Sequence, residues 1–111
     1  ALKTEKCRKA GIRDIIVDPG FGFGKTLSHN FQLLAQIEVF KMIGCPILAG
    51  LSRKSMIYKT LNINQNEALN GTTALNMVAL MKGASILRVH DVKPAKETIR
   101  LFNMLEKTVE K

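Results

Sequence analysis

Three short stretches of the chain are apolar almost without interruption: Asp14-Ile15-Ile16-Val17, Pro46-Ile47-Leu48-Ala49-Gly50-Leu51 and Ile86-Leu87-Arg88-Val89. Runs of this length predict β-strands near 14–18, 46–52 and 86–90. The unbroken apolar character of the first two is that of parallel strands buried on both faces. The stretches between them change period. From Phe31 to Ile43, apolar residues fall at 31, 34, 35, 39 and 42, and again at 33, 37 and 40. That broad stripe at 3.6 spacing predicts a helix near 30–43, ended by Gly44 with Pro46 just beyond. Met56 to Leu61 suits a short helix. Gly71-Thr72-Thr73 opens a longer one near 72–82, with Leu75, Val78, Ala79 and Lys82 on one side and Gly83 as its stop. The last helix, near 94–109, starts around Pro94, a good first-turn residue, and carries Ala95, Ile99, Phe102, Leu105 and Val109 along one face.

The predicted order is helix, β, α, β, α, β, α, within a single domain spanning 1–111. Such alternation implies a parallel sheet with right-handed crossovers. A strand-to-strand spacing of roughly 30 to 40 residues suits the βα units of a TIM barrel and of a doubly wound sheet alike. A whole barrel needs about 250 residues and eight units, and three units are predicted here. The chain begins with Ala1, in mid-helix by its pattern, rather than with Met; it is expected to be a piece of something longer.

Composition narrows the class. A hydrophobic share of 46% and a charged share of 23% in 111 residues are those of a small globular domain. No apolar run approaches the roughly 20 residues of a membrane span, and ALKTEKCRKAG lacks the apolar segment of a signal peptide. A cytoplasmic protein with no membrane partner is expected, its Cys7 and Cys45 reduced thiols. The formal charge of +8 invites a nucleic-acid partner or an anionic ligand. The first is disfavoured: the basic residues of the two terminal segments are mixed with Glu5, Glu97, Glu106 and Glu110, as on solvated helix faces. Five Phe and one Tyr show no interleaving with basic residues of the kind that stacks bases.

Candidate chemistry falls at the strand ends. The stretch VDPGFGFGKT looks like a phosphate loop, but the position five before Gly24 is Pro19, and Gly20, Gly22 and Gly24 miss the dinucleotide spacing by one residue. The first strand ends in Asp18 and this loop, the second in Ser52-Arg53-Lys54, and the third carries Arg88 and His90 with Asp91 following. All C-terminal ends of parallel strands lie on one face, where such folds bind ligands. Arg88 and His90, two apart, point the same way on an extended strand; so do Ser52 and Lys54, with Arg53 on the other side. One carboxylate, a hydroxyl, and Lys, Arg and His groups make a cationic pocket with a single negative handle. It suits a phosphate or pyrophosphate ligand that also offers hydrogen-bond donors to Asp18. Taken singly, Asp18 fits a turn, Arg53 and Lys54 a solvated helix start, and His90 a structural histidine; their recurrence at three strand ends is what surface chemistry does not explain. His29, beside Ser28 and Asn30, reads as part of a helix start.

DPGFGFGKTLSHN, GLSRKSMI and RVHDV, in this order and spacing from about Asp18 to Asp91, resemble the C-terminal portion of the dihydropteroate synthase family. A cobalamin-type pterin-binding methyltransferase is the alternative within the same fold; a non-catalytic basic nucleic-acid module is the alternative outside it. The resemblance implies three consecutive βα units from the C-terminal part of a TIM barrel. It implies the joining of 6-hydroxymethyl-7,8-dihydropterin pyrophosphate to p-aminobenzoate, the step that sulfonamides block in folate synthesis. By motif, Asp18 and Lys54 should bind the pterin, Arg88 should lie against its face and reach the phosphates, and His90 should meet the pyrophosphate. Phe23, Lys25, Gly50, Leu51, Ser52 and Arg53 should shape the p-aminobenzoate pocket. Magnesium is implied for the parent enzyme, with its ligand outside this chain and no metal residue within it. A homodimer through the last helices is implied too, and the isolated chain is expected to be inactive.

Overall fold

The structure, a computed structural model, describes residues 18–21, 26–42 and 44–109. The strand expected near 14–18, apart from Asp18, and the helix expected ahead of it lie outside the described residues. Among those described, two strands pair in parallel. β1 (Leu48–Ala49) lies beside β2 (Ile86–Leu87), with Leu48 opposite Ile86 and Ala49 opposite Leu87. The Ile47 carbonyl accepts from the Ser85 and Ile86 N–H groups, and the Ala49 carbonyl from that of Arg88. Both paired segments are shorter than the apolar runs around them. Pro46 has no N–H to give a ladder, and past Ala49 and Leu87 the backbone leaves the sheet to build loops. Ile47, Ala49 and Leu51 are wholly buried, as the apolar run predicts.

Helices cover this ladder: α1 (Leu27–Ala35), α2 (Ile37–Lys41), α3 (Ser55–Leu61), α4 (Leu69–Met81) and α5 (Val92–Val109), with a 3-10 turn at Gln65–Glu67. The single helix expected near 30–43 is two. It starts earlier because Thr26 caps it: its Oγ1 accepts from His29 N–H at 3.1 Å, and its carbonyl accepts from Asn30 Nδ2 at 3.1 Å. The interruption is at Gln36 (φ −103°, ψ 12°), whose N–H is shared by the Gln32 and Leu33 carbonyls. No Pro or Gly marks it. Leu34 and Ile37 on either side are both in the core, so burial of these two side chains outweighs one regular helical turn.

α3 closes on Asn62 in the left-handed conformation (φ 57°), with Ile63 N–H reaching back to the Tyr58 carbonyl at 2.9 Å, a Schellman-type end. α4 starts at Leu69 rather than at 72. An Asn64–Glu67 capping box organises the 3-10 turn that runs into it. Gly71 is therefore inside the helix; a β-carbon there would run into Ile57 and Leu61 of α3. Its helix-weakening backbone is offset by the close approach of the two helices. α5 starts at Val92, which leaves Pro94 in the first turn where no intrahelical N–H is required. Ala95 and Thr98 are buried on the side facing α4, and Ile99 and Phe102 are half-buried. Farther along, Leu105 of the expected stripe is 45% exposed, beside Leu101 and Met104. Phe21, Leu34, Ile37, Met56 and Ile57 complete the core around the strand residues. No described helix is long and apolar enough to cross a membrane.

Candidate functional site

The polar strand ends converge. Gly50, Ser52 and Lys54 beyond β1, and Arg88, Val89 and His90 beyond β2, line one cavity of about 210 Å³. Its geometry follows from the parallel register: equal exits from two neighbouring strands put residues 50–54 beside residues 88–91. Ser52, only 6% exposed, holds the two loops together. Its Oγ accepts from the His90 N–H at 3.1 Å and lies 3.2 Å from His90 Nδ1.

The segment 18–21 is tied to two of the lining residues, Arg88 and Lys54. Asp18 Oδ1 accepts from Gly20 N–H at 2.9 Å, fixing the turn that Asp-Pro-Gly predicts, while Oδ2 accepts from Arg88 Nη1 at 3.3 Å. Gly20 has φ 76°, a conformation that favours glycine at this turn. Lys54 Nζ donates to the Phe21 carbonyl at 2.6 Å. That acceptor is backbone, so the sequence carried no sign of it; only the burial of the Phe21 side chain anchors it there. Arg88 rests directly over Gly50, where a β-carbon would overlap its guanidinium and come within 2.9 Å of Cζ. Leu51 is a core residue by its side chain, and only its backbone belongs to the loop. Phe23 and Lys25 lie outside the described residues.

Arg53 stands apart from the other predicted site residues. It turns away from the cavity, with a left-handed backbone (φ 54°). Its Nε and Nη2 donate to the two carboxylate oxygens of Asp91 at 3.0 Å each, and its Nη1 donates to the Asn66 carbonyl at 3.0 Å. Hydrogen bonding from Arg53, and then its charge and that of His90, hold the Asp91 carboxyl below its ordinary range, with burial opposing. The same bonds raise Arg53 above its usual value. A turn rather than strand parity places Arg53 there, with the Lys54 N–H donating to the Leu51 carbonyl at 3.1 Å across it.

Chemically, the cavity offers an ammonium, a guanidinium, an imidazole and a hydroxyl, with one carboxylate, Asp18, paired to the guanidinium at its side. Magnesium prefers an octahedron of oxygens. Among the described residues no three His, Cys, Asp or Glu side chains come together. The arrangement fits an anion instead.

A family model described as pterin-binding enzyme matches residues 1–90. The chain belongs to that family. It is 47% identical over 106 residues to dihydropteroate synthase of Escherichia coli strain K12, a match that covers 94% of this chain and 36% of that protein. Among solved structures it resembles dihydropteroate synthase of Yersinia pestis, with a TM-score of 0.89 and 41% identity over 96% of this chain and 51% of the other. It also resembles a Coxiella burnetii dihydropteroate synthase solved in complex with pteroic acid, with a TM-score of 0.86 and 43% identity over 94% of this pterin-binding family member and 39% of that chain. The chain thus spans between about a third and a half of the length of these three relatives.

Proposed function

We propose that this chain is part of a dihydropteroate synthase, the C-terminal βα units of a TIM barrel. In this reading the whole enzyme condenses 6-hydroxymethyl-7,8-dihydropterin pyrophosphate with p-aminobenzoate, releasing pyrophosphate and 7,8-dihydropteroate. The observation that carries the proposal is the strand-end cavity itself, lined by Lys54, Arg88 and His90, with Arg88 paired to the Asp18 carboxylate at its side. Relatives named dihydropteroate synthase favour this reading over a methyltransferase or a nucleic-acid module.

Each side chain has a physically suited task. Asp18 accepts hydrogen bonds from the donor edge of the pterin. Arg88 offers a flat guanidinium to the ring and a fork to the phosphates. Lys54 contacts the polar edge of the pterin, and Arg88 with His90 stabilises the charge that builds on pyrophosphate as the C–O bond breaks. The p-aminobenzoate nitrogen then attacks the resulting pterin cation, forms the C–N bond and loses a proton. This route asks for little acid–base catalysis, which agrees with the lack of a catalytic dyad in the sequence. Gly50, the Leu51 backbone and Ser52 border the p-aminobenzoate side in this reading, with Phe23 and Lys25 beside them. In this reading the whole enzyme uses magnesium, with its ligand outside this chain. The exposed Leu101, Met104 and Leu105 of α5 support a homodimer through the C-terminal helices. A cytoplasmic location suits the soluble substrates.

The test is turnover of the intact enzyme. Lys54→Ala and Arg88→Ala should each lower kcat/KM by roughly 100-fold or more. Near-normal kcat/KM in both variants would overturn the site assignment.

A further inference from the structure

Two consecutive residues from each strand-end loop pair across the gap between the loops. Ser52 meets His90 on the cavity side, and Arg53 meets Asp91 on the opposite side. The second pair is the stiffer one, because a bidentate guanidinium–carboxylate contact fixes both planes. It is also anchored beyond the pair. The Arg53 N–H donates to Thr72 Oγ1 at 3.0 Å, and Thr72 Oγ1 in turn donates to the Ala68 carbonyl at 2.6 Å on entry to α4. Arg53 Nη1 holds the Asn66 carbonyl, and Gln65 Nε2 reaches the Arg53 carbonyl at 3.4 Å. A left-handed backbone at an Arg is uncommon and persists only where its surroundings over-determine it.

We propose that Arg53 and Asp91 form a clasp that sets the spacing of the two strand-end loops, and so positions Lys54, Arg88 and His90 around a phosphate-bearing ligand. Arg53 is in this view a positioning residue and touches no ligand. The inference rests on the proposed function for the identity of that ligand but on geometry alone for the clasp. Neither side chain lines the cavity, while their neighbours Ser52, Lys54 and His90 do. An anion site depends on the separation of its cationic groups, and an error of about 1 Å in such a separation can cost about 100-fold in rate.

The experiment compares Arg53→Ala, Asp91→Ala, the double variant and Arg53→Lys in the intact protein. Two readouts are taken: the dissociation constant for inorganic pyrophosphate, and hydrogen exchange of the His90 amide that donates to Ser52. Either single Ala variant should weaken pyrophosphate binding about tenfold and speed His90 amide exchange about as much, with no further loss in the double variant. Arg53→Lys keeps the charge but not the fork, and should behave like Arg53→Ala. Melting curves restrict the comparison to folded variants. Unchanged His90 exchange in both single variants overturns the clasp, whatever pyrophosphate does. So does a Kd raised by Arg53→Ala but not by Asp91→Ala, which would make Arg53 a direct ligand contact. If the unaltered protein binds no pyrophosphate while His90 exchange responds as expected, the clasp stands and the proposed function falls.

Discussion

The strand-end cavity and the outer half of α5 are built by opposite means. At and around the strand ends, Asp18, Ser52, Arg53 and Lys54 each bond to a residue of another segment. Along α5 beyond Ile99, Leu101 and Met104 are 66% and 63% exposed, and the Thr108 hydroxyl bonds only to the Met104 carbonyl one turn back. Directional bonds fix positions to a fraction of an ångström, which an anion-binding site requires. Apolar exposure fixes nothing, but it supplies a driving force for association roughly proportional to the area covered. The proposed chemical role draws on the first property and the proposed dimer on the second.

The sharpest way to break the first half of this contrast is Gly50→Ala. The backbone at Gly50 is not left-handed, so the substitution is tolerated by the chain itself. The added methyl takes the space of the Arg88 guanidinium. Turnover of the intact enzyme should fall by about 100-fold with little change in melting temperature. Equal loss of fold and activity would mean that Gly50 serves packing instead.

The second half is tested by Leu101→Glu with Met104→Glu. Both positions are solvent-exposed on this chain, so monomer stability should move by no more than about 0.5 kcal/mol. Sedimentation should report a dimer for the unaltered intact protein and a monomer for the double variant. A dimer that survives both charges would place the interface elsewhere.

How much of this was legible in the sequence divides along the same line. The apolar runs located β1 and β2, which depend on local pattern alone, whereas Arg53 leaves the Ser52–Lys54 side through a left-handed turn that strand parity does not describe. The three-way convergence of Asp18, Lys54 and Arg88 needed only the parallel topology. The break at Gln36 was not legible, since no local residue demands it and the core position of Ile37 decides it. Nor was the early start of α4: Gly71 looks like a helix opening until Ile57 and Leu61 are seen against it. The Lys54 contact was hidden for a different reason, as its acceptor is a main-chain carbonyl that any residue at position 21 would present.

The smallest expected effect separates the clasp from the packing around it. Asp91 is held below its ordinary value chiefly by its hydrogen bonds from Arg53. A carboxyl lowered in the folded state stabilises that state fully above its unfolded value, about 3.9 for an aspartate, and loses the contribution as pH falls through the folded value. The stability gap between the unaltered protein and Asp91→Asn should therefore be constant from neutral pH down to about 4, and should close in more acidic solution. His90 amide protection, which depends on the same pair, should fade over the same interval. A gap that stayed constant through the acid range would mean that Asp91 holds its loop by shape alone, since an uncharged carboxyl would then serve as well as the carboxylate that Arg53 grips at both oxygens.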